Sequence, residues 1–160
     1  MELDTLQSNT NTVTALKNGD EWSAKGEVIS LITPTRRVTM NLEVKDQDGI
    51  LREVMSFDQF SPILGVQPIT TSDHNSVDEL YATYFITADD AIHEFYSLDT
   101  TRQDNFIEVQ SYDPVLREIK GIFNVSMSLT ESFSNQSGVP ERVVFTQGEF
   151  TANVEPGWFD

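Results

Sequence analysis

Residues 119–130 read IKGIFNVSMSLT, and this stretch decides the fold class. Every second residue belongs to one apolar face, and the residues between are mostly polar. The apolar face consists of Ile119, Gly121, Phe123, Val125, Met127 and Leu129. Because successive side chains of a β-strand point to opposite faces, this period of two predicts a long amphipathic strand with one face in a core.

A second segment of the same kind follows the polar loop at Ser132–Gly138. This returning segment, Arg142–Val154, carries its apolar residues at odd positions before Gly148 and at even positions after it. A β-bulge changes the parity of a strand in this way. The sequence therefore predicts a bulge at Gly148.

Upstream, residues 38–57 are predicted to form a hairpin. Apolar and polar residues alternate on both sides of Asp46-Gln47-Asp48-Gly49, which is a turn signal. Val44 is paired with Glu53 or with Leu51, depending on the loop. The two registers differ by an even number of residues, so both place the same side chains on each face.

Another hairpin is predicted from Leu80–Ala88 and Ala91–Asp99, with its turn at Asp89-Asp90. Pairing across that turn places Tyr84 opposite Phe95, Phe85 opposite Glu94, and Thr83 opposite Tyr96. Aromatic residues then lie on both faces of the hairpin. Either both faces are covered, or one aromatic face lines a pocket.

The aromatic residues of this hairpin are the predicted ligand-binding residues, together with a tryptophan whose ring could stack on a sugar. They are Tyr84, Phe85, Phe95, Tyr96 and Trp22. For Trp22 the competing interpretation is an anchor in the core or at its rim.

The remaining strand candidates are Val13–Lys17, Trp22–Ile32 and Phe106–Tyr112. Short strands recurring with turns between them predict an all-β fold of about 9–11 strands with little helix, as a single antiparallel β-sandwich or an open, lipocalin-like barrel. Residues 1–12 are expected to be a flexible lead-in, and residues 13–160 a single β domain. The irregular stretch Phe60–Ser76 is expected to bridge sheets or to cover an open end.

Composition excludes several classes of protein. The 160 residues include 26 acidic and 10 basic ones, a net charge of −16, and no cysteine. A nucleic-acid partner would need a basic surface, and a Cys-ligated metal or a thiol nucleophile would need cysteine. His74 and His93 do not form a ligand set with zinc spacing, and no catalytic motif is present. We therefore predict no metal, no cofactor and no catalytic residues.

Three segments resemble a family of known proteins. They are residues 18–24 (NGDEWSA), 105–127 (NFIEVQSYDPVLREIKGIFNVSM) and 143–154 (VVFTQGEFTANV). They are similar to the tryptophan anchor and the glycine-punctuated strands of the DUF6252-like family, uncharacterised secreted proteins and lipoproteins of Bacteroidetes. The resemblance implies an exported chain, often tethered by a lipidated N-terminal cysteine.

The location has two interpretations. Met1–Thr12 contains no signal peptide, so either the protein is cytoplasmic or its export signal and lipidated cysteine have been removed. The resemblance favours the cell envelope, as a periplasmic or outer-membrane lipoprotein, or secretion. The polar Met1–Thr12 would then be a spacer from a membrane to which the protein is peripheral.

Together these features predict a non-catalytic cell-envelope module. It would bind a glycan, a lipid-like ligand or a surface protein. One alternative is a structural subunit of a surface assembly, with an exposed sheet edge or an apolar patch. The other is a hydrolase that uses two carboxylates in a cleft.

Overall fold

The computed structural model describes residues 11–30, 38–61, 63–71, 80–88, 91–132 and 139–153. Those ranges contain ten β-strands and no helix, which confirms the all-β prediction. The strands are β1 (Thr12–Lys17), β2 (Asp20–Ser30), β3 (Val38–Lys45), β4 (Leu51–Phe60), β5 (Gly65–Pro68), β6 (Tyr81–Ala88), β7 (Ala91–Leu98), β8 (Phe106–Asp113), β9 (Glu118–Ser132) and β10 (Arg142–Asn153).

The strands form one antiparallel sheet that closes on itself. Its order is β10-β1-β2-β3-β4-β6-β7-β9-β8-β5, and β10 also pairs with β9. Eight strands therefore make a closed barrel, and β8 and β5 extend from it. The 15-residue β9 makes this branch possible because its second half pairs with β7 and its first half with β8. Of the two predicted architectures, the structure is the barrel.

The interior of the barrel is filled by side chains. Apolar residues of successive strands point inward, and the largest of them are completely buried. These include Tyr84, Tyr96, Phe57, Phe60, Phe123 and Phe145. An eight-stranded barrel is just wide enough to be packed in this way. The interior of the barrel is therefore a packed hydrophobic core rather than an open ligand cavity.

Two predicted features of local pairing are confirmed. Val44 pairs with Glu53, and the predicted faces hold from Met40 to Val44, whereas the register shifts by one residue at Lys45, which pairs with Leu51. The pairing of β10 with β9 shifts between Phe145 and Gly148, so the bulge lies where the parity change placed it. Gln147 carries the positive φ of this bulge, at 53°.

The predicted register of the β6–β7 hairpin is wrong beyond its first two pairs. Near the turn, Ala88 pairs with Ala91 and Thr87 with Ile92, as pairing across residues 89–90 requires. The next pair is Ile86 with Glu94, which leaves His93 as an extra residue in β7. The bulge moves every later pair by one residue, so Tyr84 lies opposite Tyr96, Phe85 opposite Phe95, and Thr83 opposite Ser97.

The irregular stretch after β4 contains a strand that the sequence did not predict. β5 has four residues and pairs with β8. Directly after it, Ile69 is buried in the core, and its N–H donates to the Asn105 carbonyl at 2.9 Å. Thr71 then bridges to Tyr81. This part of the predicted bridging segment therefore holds the β5–β8 extension against the barrel.

Several predictions fall outside the described ranges. They are most of the lead-in (residues 1–10), the end of the Trp22–Ile32 strand, the loop with His74, and the turn at Asp89-Asp90. Within the lead-in, Thr12 already belongs to β1 and pairs with Lys25. No described segment of the chain forms a helix that could span a membrane.

Candidate functional site

The five predicted ligand-binding residues lie on two different surfaces. Tyr84, Tyr96 and Trp22 point into the barrel and are buried, whereas Phe85 and Phe95 are half-buried on the outer face. Tyr84 and Phe95, which the predicted register placed opposite each other, therefore lie on opposite faces of the sheet, and so do Phe85 and Tyr96, which it placed on the same face. In the structure, Tyr84 instead pairs with Tyr96, and Phe85 pairs with Phe95, across β6 and β7.

The inward group belongs to a polar cluster at one end of the barrel. Glu53 Oε1 accepts hydrogen bonds from Lys17 Nζ at 2.9 Å, from Trp22 Nε1 at 3.1 Å and from the Tyr84 hydroxyl. Lys17 Nζ also lies 5.4 Å from the centre of the Tyr84 ring. One carboxylate thus connects β1, β2, β4 and β6.

The tyrosines of this end are held in their neutral form. Burial raises the pKa of the Tyr84 phenol far above its usual range, and the charges of Glu53 and Glu94 add to the shift. Burial and Glu94 also raise the pKa of Tyr96, whose hydroxyl donates to the Pro140 carbonyl at 2.8 Å. Both phenols therefore act as hydrogen-bond donors. Their bonds join strands, so this cluster is an internal brace.

A row of small polar side chains crosses the outer face at right angles to the strands. Its members are direct partners on the adjacent strands β3, β4, β6, β7 and β9. This polar row consists of Asn41, Ser56, Thr83, Ser97 and Ser128. All five side chains are half-buried. They therefore offer hydroxyl and amide groups on the barrel surface at the spacing of the strands, about 4.8 Å.

Neighbouring hydroxyls of this region are oriented by hydrogen bonds. Ser56 Oγ donates to Asn41 Oδ1 at 2.6 Å, and Thr130 Oγ1 donates to Ser97 Oγ at 2.8 Å. A hydroxyl that donates in this way still has lone pairs to accept from a ligand.

An aromatic row lies beside the polar row on the same strands. Val54 pairs with Phe85, and Phe85 pairs with Phe95. Val54 is buried, although it does not belong to the inner core cluster. Glu43 and Glu131 occupy the two ends of this row, as partners of Val54 and Phe95. The outer face therefore carries a small apolar centre with acidic ends, directly beside the polar row.

Two grooves lie on the outer face beside the bulge of β10. A groove of about 570 Å³ lies between β1, β2 and β10, and an adjoining one of about 390 Å³ lies between β10, β9 and β8. Gln147 and Glu149 line both. Hydroxyl side chains of Thr14 and Ser23 line the first. Of the described aromatic residues that line this bulge groove, Trp22 and Phe123 are buried and Phe106 is half-buried, so it offers polar contacts and a single half-buried ring.

A metal centre is not formed by the part of the chain that the structure describes. In those ranges no three His, Cys, Asp or Glu side chains lie close enough together to hold an ion. His93 is the extra residue of β7 and is half-buried.

Sequence reasoning singled out Phe85 and Phe95 as candidates but did not identify the polar row. Its residues come from five strands, and serine and threonine are too common in this chain for any one of them to be informative. These five residues become neighbours only through the pairing registers of their strands, which the sequence does not show. Comparisons with known proteins add no relative: the chain matches no family model, no curated protein and no solved structure.

Proposed function

We propose that this chain is a non-catalytic glycan-binding module of the cell envelope, and that the aromatic and polar rows form its site. The observation that carries the proposal is the side-by-side placement of half-buried Phe85 and Phe95 next to five aligned hydroxyl and amide side chains. Aromatic faces pack on the apolar C–H faces of sugar rings, and hydroxyl and amide groups bond to sugar hydroxyls.

The geometry of the rows supports an extended chain of sugars as the ligand. Consecutive members of each row are one strand apart, about 4.8 Å. This spacing is close to the length of one sugar residue in an extended polysaccharide. A glycan lying across the strands would therefore meet a new hydroxyl or amide group at each residue, while Phe85 and Phe95 hold its centre.

A lipid-like ligand fits the structure less well than a glycan. Such a ligand needs an enclosed apolar cavity. The barrel interior is instead occupied by side chains such as Tyr84, Tyr96 and Phe145, whose rings pack at 5.1–5.5 Å between centroids. The envelope location, as a lipoprotein or a secreted protein, rests on the resemblance of residues 18–24, 105–127 and 143–154.

The proposal is tested by titrating the labelled protein with soluble oligosaccharides while recording amide resonances. The panel contains gluco-, manno-, xylo- and chito-oligosaccharides. We expect saturable shifts at the amides of both rows with one class of sugar. We expect Phe85→Ala with Phe95→Ala to weaken that binding by about tenfold or more, since both rings would lose apolar area buried against the sugar, at roughly 25 cal/mol for each Å².

The matched control is Phe106→Ala. Phe106 is also half-buried, but it lines the bulge groove rather than the two rows. The control should bind as the unchanged protein does. The absence of a response to every sugar would refute the proposal, and a loss of binding in Phe106→Ala alone would move the site to the bulge groove.

A further inference from the structure

An asparagine side chain at each end of β1 bonds to β10. Asn11 precedes β1 and Asn18 follows it. Asn11 Oδ1 accepts a hydrogen bond from the Asn153 N–H at 2.8 Å. Asn18 Oδ1 accepts one from the Val144 N–H, also at 2.8 Å. We call these two side chains the asparagine clasps, because they continue the contact of β1 with β10 beyond the ends of β1.

Both clasps use a backbone conformation that asparagine tolerates well. The φ angle is 65° at Asn11 and 50° at Asn18, in the left-handed region where asparagine is enriched among the residues other than glycine. Asn18 and Gly19 form the two-residue turn between β1 and β2, across which Lys17 pairs with Asp20. Asn-Gly is the sequence that such a hairpin turn prefers.

The turn brings three groups of Asn18 into contact with β10. Besides the bond to Oδ1, the Asn18 N–H donates to the Val144 carbonyl at 2.8 Å. Asn18 Nδ2 donates to the Arg142 carbonyl at 3.3 Å. Both ends of the side-chain amide are therefore bonded to the same strand, although the residue itself is exposed.

The clasps lie at the seam that closes the barrel, which is the pairing of β1 with β10. Its register contains four pairs and an irregularity between Thr14 and Leu16. A short, irregular ladder has few hydrogen bonds of its own, and strands held in this way open locally more often than a long regular pair. The clasps therefore add bonds where the seam is weakest.

Asn18-Gly19 is the only Asn-Gly sequence of the chain, and this dipeptide can react with itself. Once base has removed its proton, the Gly19 nitrogen can bond to Asn18 Cγ, and the side-chain nitrogen leaves as ammonia. Water then opens the resulting cyclic imide to aspartate or isoaspartate. Glycine permits this ring closure because it has no Cβ in the way. Apart from its chain neighbours, no described residue comes within 4 Å of a Cβ placed at Gly19, so water reaches the turn.

We propose that Asn18 is a site of spontaneous deamidation that the barrel seam controls, independently of any ligand of the two rows. While the amide is bonded to β10, it is not free to turn toward the Gly19 nitrogen, and the reaction is blocked. When β1 separates locally from β10, the imide can form. In an isoaspartate product the main chain runs through Cγ, which lengthens the turn by one atom and replaces the amide that held β10. The reaction therefore keeps the clasp from forming again.

The test compares the deamidation rate of the full chain in native buffer and in concentrated urea, at the same alkaline pH and temperature. Mass spectrometry of the peptide that contains Asn18 measures the rate. We expect the folded chain to react at least about tenfold more slowly. Asn11→Gly removes the other clasp, tolerates the same φ and leaves Asn18-Gly19 intact. This variant should react severalfold faster than the unchanged protein in native buffer and at the same rate in urea.

The matched control is Asn124→Ala. Asn124 Nδ2 also donates to a backbone carbonyl, that of Asp104 at 2.9 Å, but this bond joins β9 to the loop before β8. The control should react at Asn18 as the unchanged protein does. Equal rates in native buffer and in urea would overturn the proposal. A rate in Asn11→Gly no faster than in Asn124→Ala would also overturn it, because the turn alone would then provide the protection.

The effect of the reaction on the seam is measured on an aged sample. Ion exchange separates the fraction modified at Asn18, because deamidation adds one negative charge. We expect this fraction to unfold at a lower temperature than the unmodified fraction of the same sample, since one clasp is lost. Identical thermal midpoints would show that the modification leaves the seam intact, contrary to the proposal.

Discussion

At the scale of single residues, Glu53 organises the polar end of the barrel. Its Oε1 accepts from Lys17, Trp22 and Tyr84, which come from three other strands. We expect Glu53→Gln to lower the free energy of unfolding by about 1–3 kcal/mol, because hydrogen bonds to a charged group contribute more than neutral ones and Lys17 loses its counter-charge. Urea unfolding followed by circular dichroism measures the change.

The control for this prediction is Glu43→Gln. Glu43 lies on β3, next to β4, but faces outward as the partner of Val54. We expect its stability to stay within about 0.5 kcal/mol of the unchanged protein. Equal stabilities for the two variants would show that the hydrogen bonds to Glu53 contribute nothing net.

Tyr84 makes stability depend on alkaline pH. Its pKa is raised by burial and by Glu53 and Glu94, so the folded state keeps the phenolic proton that the unfolded state loses near pH 10. The resulting stability is complete below that unfolded pKa and declines as pH rises above it. We expect the urea midpoint to fall between about pH 9 and 11, and to fall less steeply in Tyr84→Phe. Identical slopes in the two proteins would contradict this.

The same residue shows a limit of sequence reasoning. Alternation assigns Tyr84 and Phe85 to opposite faces but does not say which face is inside when both carry aromatic residues. Burial decides the question, and it depends on strands that are distant in sequence, such as β10 with Phe145. The candidate residues were therefore predicted as a set, whereas their division into an internal brace and an outer surface was not.

At the scale of elements, the Phe123 ring packs directly against the bulge of β10 at Gly148. A Cβ at Gly148 would lie 2.6 Å from carbons of the buried Phe123 ring, and the φ of Gly148 is not positive. We expect Gly148→Ala to cost about 1–3 kcal/mol through this overlap alone. Phe123→Leu should make the same substitution cheaper, with a coupling of at least about 0.5 kcal/mol in a double-mutant cycle followed by urea unfolding.

Gly121 provides the contrast for that cycle. A Cβ there would meet the backbone carbonyl of Glu108 as well as the Phe150 ring. Because backbone does not move aside as a side chain does, Phe150→Leu should leave Gly121→Ala destabilised. Strictly additive energies for Gly148→Ala and Phe123→Leu would mean that the ring is not the obstacle.

The two hairpins differ in how far the sequence determines them. In β3–β4 the turn signal and the alternation agree, and the pairing of Val44 with Glu53 follows. In β6–β7 the sequence carries an equally clear turn signal. The bulge at His93, however, does not change the alternation of apolar and polar residues around it, so the sequence does not reveal it. The bulge at Gly148 was predictable because it changes the parity of apolar residues. β5 was not, because four residues with a glycine and a proline show no period.

At the scale of the whole molecule, closure of the barrel depends on the pairing of the first described strand with the last. Thr14 of β1 lies opposite Glu149 of β10, and β10 continues the ring to β9. A sandwich and a barrel present the same alternation along each strand, so the sequence could not separate them. The barrel is distinguished from a sandwich by the long-range pairing of β1 with β10. The length of β9 also matters, because its two halves pair with β7 and with β8.

The net charge of −16 is also a property of the whole molecule, and it acts against the compact state through mutual repulsion. Salt screens this repulsion, since the Debye length falls from about 30 Å at 0.01 M to about 10 Å at 0.1 M. Exposed ion pairs such as Arg102 with Asp104 lose little, whereas the partly buried pair of Lys17 with Glu53 is screened less. Repulsion therefore dominates, and we expect the thermal midpoint to rise with sodium chloride, by roughly 2–4 °C for each kcal/mol gained.

Choline chloride at equal ionic strength should give the same rise, since screening does not depend on the cation. A midpoint that falls with salt would show that ion pairs outweigh repulsion, and a rise with sodium alone would indicate a specific ion site.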